Sequence, residues 1–204
     1  MLGECGTKRA MAARTPRSRT GSGPRSGPRV RKPLDEKALG ALALRYVERF
    51  ATTRHKLAAF LQRKLRERGW EGAGSPDLEA LAERFADLGY VDDAAFALTK
   101  ARTLGQRGFG RRRVMDTLRV AGVGEDDGAA ARDHADGEAV EAALRFAQRR
   151  RIGPFAAAPP VDPKARDKAI GAMIRAGHAF GLARAIVELA PGEEFDRDEL
   201  GGDQ

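Results

Sequence analysis

The sequence is poor in the groups that most often carry chemistry. One cysteine, Cys5, stands among 204 residues. It cannot form an internal disulfide, and a reducing cytoplasm is the expected setting. The three histidines, His55, His134 and His178, lie far apart with no cysteine or carboxylate at ligand spacing, so neither a metal site nor a cofactor is expected. No nucleophile and base are spaced for catalysis, and the chain does not read as an enzyme. No apolar run approaches the roughly 18 residues that a membrane span needs. The N-terminal bases are not followed by the apolar stretch of about 7–15 residues that marks a secretory signal. Runs of β-branched residues are also scarce, while alanine, leucine, arginine and glutamate dominate. That composition predicts an all-α fold.

What the chain has is charge. Charged residues make up 32 % and the formal net charge is +8. The excess sits in residues 1–33, where nine bases face Glu4 alone. The stretch RTPRSRTGSGPRSGPRVRKP within it is rich in proline, glycine and serine, so a disordered basic arm is expected over 1–33, with Met11 a second candidate start. The remainder is neutral but divided into blocks. Residues 45–68 sum to +6, 71–93 to −6, 100–119 to +6 and 125–141 to −6. Residues 193–204 sum to −5 and read as an acidic disordered tail. Solvated helix faces would account for such blocks. Their even alternation also fits a repeated unit.

Apolar spacing marks the helices. Leu39, Leu42, Ala43, Tyr46, Val47 and Phe50 form one stripe, Leu57, Phe60, Leu61 and Leu65 a second, and Leu78, Leu81, Ala82, Phe85 and Leu88 a third. Others centre on Phe96–Leu104, Val114–Ala121, Val140–Ala147, Ile170–Ile174 and Leu182–Leu189, and 124–137, with three glycines among alanines and acids, is the weakest. Each stripe is short and narrow, so the helices must pack on one another. Four of them share an ending, an apolar residue followed four places later by glycine and then a ring or apolar residue: Leu65/Gly69/Trp70, Phe85/Gly89/Tyr90, Leu118/Gly122/Val123 and Met173/Gly177/His178. This is the pattern of a Schellman stop. From Leu65 to Leu118 is 53 residues and from Leu118 to Met173 is 55. The segments ALRYVER (43–49) and ALRFAQR (143–149) also echo each other. Three units of three short helices are therefore expected, over 34–90, 91–137 and 138–192, with a proline-broken loop at 152–163 inside the third.

The adjacent carboxylates Asp92 and Asp93 have a structural reading. Gly89 ends one helix, Tyr90 is placed to cover Phe85, and Asp92 stands where the N-cap of the next helix belongs. Val91 and Phe96 are spaced for a hydrophobic staple, and Asp93 complements the helix dipole. A catalytic dyad would need a further polar partner and a pocket.

The segments GYVDDAAFA (89–97) and RGFGRRRVMDTLRVAGV (107–123), with Arg102 between them, resemble the hallmark of the RecX regulatory proteins. The resemblance spans about 34–190 and is most specific in the middle unit. It implies three tandem three-helix repeats in an elongated, curved array, and binding to the filament of RecA recombinase on DNA; a monomer is expected. It further implies inhibition of ATP hydrolysis, strand exchange and coprotease activity, with no catalysis. The long basic arm and the acidic tail depart from the family pattern.

Within GQRGFGRRR (105–113) the absence of a preceding strand and of Walker or Rossmann spacing argues against nucleotide binding. Phe109 reads as an apolar anchor. Arg111, Arg112 and Arg113 would stand at the positive end of a helix, where three cations oppose the dipole, so an anionic partner is inferred. Arg102 and Arg107 join them as candidate partner contacts. Arg63 and Lys64 are weaker candidates, as are Arg66, Arg68 and Arg149–Arg151. Trp70 and Tyr90 read as packing residues. The alternative is a free-standing nucleic-acid-binding protein, its arm supplying phosphate contacts and its units resembling helix-turn-helix geometry, on single- or double-stranded DNA.

Overall fold

The computed structural model describes residues 32–160 and 162–201; the expected basic arm lies outside them, apart from Lys32 and Pro33. The described chain is helical. The helices are α1 (Glu36–Val47), α2 (Arg54–Arg68), α3 (Leu78–Asp87), α4 (Asp93–Gln106), α5 (Arg111–Val120), α6 (Ala129–Gly137), α7 (Ala139–Arg150), α8 (Pro163–Arg175), α9 (Phe180–Glu188) and the short α10 (Arg197–Gly201), with a 3-10 turn at Gly153–Phe155. Among the described residues there is no strand, only an isolated bridge between Leu34 and Trp70.

Side-chain oxygens start five of the helices. Asp35, Thr53, Asp77, Asp92 and Asp162 each accept from the amide three residues on, taking up a donor the helix leaves free. The stops follow the Schellman pattern at Gly89, where the Tyr90 amide donates to Phe85 O at 2.9 Å and the Gly89 amide to Ala86 O at 2.8 Å. Gly122 and Gly177 repeat it. Two further stops escaped the sequence reading. Gly108 closes α4, with Phe109 N bonded to Leu104 O, and Arg151 closes α7 in the left-handed conformation that glycine fills elsewhere. Gly69 departs from the expected stop. Its amide reaches Leu65 O, but Trp70 does not fold back; Gly69 O accepts from Leu34 N and Leu34 O from Glu71 N. The chain that precedes α1 thus closes the end of α2.

Three buried clusters follow the helix triplets. Leu39, Ala43, Leu57, Leu61, Ala82 and Phe85, with Leu34 and Val91, fill the space among α1, α2 and α3. Ala97 and Ala101 of α4 meet Val114 and Leu118 of α5 and Ala131 and Ala135 of α6. Here the buried stripe of α4, Asp93, Ala97, Ala101 and Gly105, is made of small residues four apart, which lets helix backbones approach closely. The third cluster joins Leu144 and Phe146 of α7 to Ile170 and Met173 of α8 and Leu182 and Ile186 of α9.

Two expectations need correction. The stripe that ran to Phe50 ends with α1 at Val47, and Phe50 lies in the following turn, 53 % exposed. Residues 193–201 are ordered, contrary to the expected tail: Phe195 and Leu200 pack on the third core, the Phe155 and Phe195 rings meet edge to face, and Arg197 pairs with Glu141 at 2.9 Å. Two apolar side chains among the acids are enough to anchor it.

Candidate partner-binding site

The middle unit is held to its neighbours through one repeated joint. In each joint the start of a second helix sits on the turn that ends the second helix of the next unit. Between the first and second units, the Thr53 hydroxyl at the start of α2 donates to Ala121 O at 2.6 Å, fully buried. Gly122 has φ +73 and lies so close to His55 that a Cβ would stand 2.3 Å from the His55 Cβ. Between the second and third units, Gly110 N donates to Ala176 O at 3.0 Å and Arg112 N to Gly177 O at 3.2 Å. A Cβ on Gly110 would meet Gly177 O at 2.4 Å. The Gly-Phe-Gly segment is therefore an interhelix joint and not a phosphate cradle. His178 completes it, its Nε2–H donating to Gly108 O at 3.1 Å, with burial pushing the imidazole below its ordinary value.

Asp92 and Asp93 divide the work expected of them. Asp92 caps α4 through Ala95 N at 2.8 Å. Asp93 does more than face a dipole. Only 6 % exposed, it accepts from the Arg54 backbone amide at 3.0 Å and from Arg54 Nε at 3.2 Å. The same guanidinium reaches Glu83 of α3 at 3.2 Å and Asp127 at 2.5 Å. Its pKa is raised, chiefly by the hydrogen bond it donates to Asp93, with Glu83 adding to it. Arg54 thus ties α2, α3, α4 and the turn before α6. The expected staple gives way to other partners: Val91 is buried in the first core, while Phe96 is half-exposed beneath Lys56 and Lys100. Tyr90 packs on Phe85 with ring centroids 5.7 Å apart.

The arginines fall on two surfaces. Arg107, Arg111, Arg112 and Arg113 surround the corner between α4 and α5, all exposed. Arg149 of α7 donates to Arg107 O there, and Arg145 donates to Gly105 O at 3.1 Å. Arg111 pairs with Asp136 of α6 at 2.6 Å, so the fold itself accounts for one of the three cations at the start of α5. Arg113 lies over the Phe109 ring at 6.0 Å. Among the described residues neither Arg112 nor Arg113 has a carboxylate partner. Arg102 is exposed on α4. Arg63 and Lys64 belong elsewhere, on α2 over the Phe60 ring, and both reach Glu67. Among the described residues no His, Cys, Asp and Glu cluster could hold a metal ion, and no helix is long and apolar enough to cross a membrane.

The sequence reading missed the joint residues Thr53, Arg54 and Gly110. The interval of about 55 residues that relates the helix stops also relates Thr53 to Gly110 and could have found them.

A tandem array of three-helix units whose charged side chains mostly face outward defines a helical-repeat scaffold. No protein-family profile matches the chain. It is 30 % identical over 172 residues to the regulatory protein RecX of Myxococcus xanthus, covering 81 % of this chain and 92 % of that one. Against the regulatory protein RecX of Thermobifida fusca the identity is 36 % over 163 residues, covering 76 % and 82 %. A crystal structure of a regulatory protein RecX superposes with a TM-score of 0.51 at 20 % identity, covering 74 % of this chain and 72 % of that one. The chain belongs to the RecX family of regulatory proteins.

Proposed function

We propose that this chain binds filaments of RecA recombinase on DNA and lowers their ATP hydrolysis, strand exchange and coprotease activity. Family membership supports the regulatory role. The observation that carries the contact surface is the α4–α5 corner, where Arg112 and Arg113 stand exposed, without a carboxylate partner among the described residues, on a turn fixed by backbone bonds to Ala176 and Gly177. A turn fixed this way presents its cations without the cost of ordering the backbone, leaving only the arginine side chains to order. Arg102, Arg107 and Arg111 extend the surface, and a repeat array adds contacts along a polymer by avidity.

Co-sedimentation with RecA filaments on single-stranded DNA tests the reading. The full chain is expected to pellet with the filaments, and the Arg112→Glu/Arg113→Glu double variant, with helix content unchanged, to pellet at least about tenfold more weakly. Equal pelleting by both would remove the corner from the interface. Pelleting with bare DNA but not with RecA filaments would instead favour the free-standing nucleic-acid binder.

A further inference from the structure

A second surface, away from the arginine corner, has its own chemistry. Where α1 stops at Val47 the chain turns outward and leaves Phe50 53 % exposed. Phe50 is the outer member of three rings. It lies tilted against Tyr46 with centroids 5.3 Å apart, and Tyr46 stacks on Phe60 at 4.1 Å and 15°. Cations surround these rings. Arg49 lies over Phe50 at 5.9 Å and Arg63 over Phe60 at 5.6 Å. The rings border a recess of about 430 Å³ between the end of α1 and α2.

This recess shares Ala51 and Thr52 with a second one, of about 370 Å³, against α4. There two ammonium groups approach one ring: Lys56 Nζ is 4.5 Å and Lys100 Nζ 5.7 Å from the Phe96 centroid. Among the described residues, neither lysine nor Arg49 has a carboxylate partner. Three acids lie nearby and two are engaged: Asp92 caps α4, and Glu67 holds Arg63 and Lys64. Glu48 is exposed beside Arg49. Burial and the charge of Lys100 push Lys56 below its ordinary range, a repulsion that an anion between the two lysines would relieve. At the floor common to both recesses, Thr52 is 5 % exposed and its hydroxyl is buried without a hydrogen-bond partner.

One exposed ring, Phe50, on a stack of half-buried ones, beside cations that have no carboxylate among the described residues, matches one class of ligand. Flat bases stack on rings, and phosphates at short intervals meet cations. A duplex hides its base faces, so the rings would gain nothing from it. We infer that this surface binds single-stranded nucleic acid, with a base on Phe50 and a phosphate between Lys56 and Lys100. This does not depend on the recombinase reading, since the contact is made by the chain alone.

The test is fluorescence anisotropy of a labelled fifteen-nucleotide thymidine oligomer with the full chain, in the absence of recombinase and across a salt series. Phe50→Ala is expected to weaken binding roughly 5- to 100-fold, the range for loss of one base stack, and Phe50→Trp to restore it. Lys100→Gln is expected to lower the salt slope by about 0.7, one single-strand phosphate contact. Equal circular dichroism for all variants separates these losses from unfolding. Three results would each overturn the inference: unchanged affinity of Phe50→Ala, equal affinity for a duplex of the same length, or competition by polyglutamate as effective as by unlabelled oligomer, which would make the surface an acidic-peptide site.

Discussion

The two joints of the array have one geometry and two chemistries. At the first, a buried hydroxyl and an arginine shared among three carboxylates hold the units together: Thr53 bonds Ala121 O, and Arg54 reaches Asp93, Glu83 and Asp127. At the second, no side-chain ion pair among the described residues spans the contact. Gly110 sits directly on Gly177, backbone amides bond backbone carbonyls, and one neutral imidazole closes the edge. The turn geometry fixes where the helix must land, and both joints need a glycine there, Gly122 against His55 at the first and Gly110 against Gly177 at the second. The first adds a charge network, and charges attract over several ångströms. The second rests on backbone contact.

The difference predicts how each joint fails, and the largest effect is expected at the second. Gly110→Val places backbone-blocking atoms where the added Cβ alone would meet Gly177 O at 2.4 Å. A loss of about 3 kcal/mol or more is expected, a drop of roughly 6–12 °C in melting temperature for a chain of this size. A drop under about 2 °C would show that the joint is not close-packed. At the first joint, Asp93→Ala leaves the Arg54 amide and guanidinium short of a partner. Because Arg54 keeps Glu83 and Asp127, about 2 kcal/mol is expected rather than the full cost of an orphaned buried charge. Added salt should narrow the gap between this variant and the parent in thermal melts, and should leave the Gly110→Val gap unchanged.

The smallest effect is one of pH. The folded His178 has a pKa below its ordinary value, so between about pH 6.5 and the lower folded value the unfolded chain binds a proton that the folded chain refuses. Stability should fall as pH falls through that window, by at most about 1.4 kcal/mol per pH unit from this one group, and be independent of it above. The His178→Gln variant should lose that slope in denaturant titrations between pH 7.5 and 5.5. An unchanged slope would assign the acid sensitivity to other groups.

What the sequence makes legible is whatever a local rule determines. Asp92 reads as a cap because side chain and amide are three residues apart. Gly89, Gly122 and Gly177 read as stops because the turn needs φ > 0 at one position. Ala43 and Ala143, from the two echoing heptapeptides, are both fully buried. Where a non-local partner decides, the sequence is silent. Gly69 carries the letters of a stop, but Leu34 bonds the backbone on both sides of Trp70 and redirects it. Asp93 looks like a dipole partner because Arg54, 39 residues away, is invisible from its neighbourhood. Arg151 ends a helix without glycine, which no letter pattern announces. Phe50 continues the apolar period of α1 in sequence, yet the helix has already ended. The arginine corner was legible as a run of charge; that Asp136 claims Arg111 was not.

The rigid cationic corner between α4 and α5 is tested most directly by a titration of RecA ATP hydrolysis on single-stranded DNA. The parent chain and Gly110→Val, which disturbs the corner sterically, would be compared with Arg112→Glu/Arg113→Glu, which leaves its backbone in place. Strong inhibition by the parent, with at least about tenfold more of the double variant needed for the same effect, is expected. Equal inhibition by parent and double variant, or none by either, would contradict it.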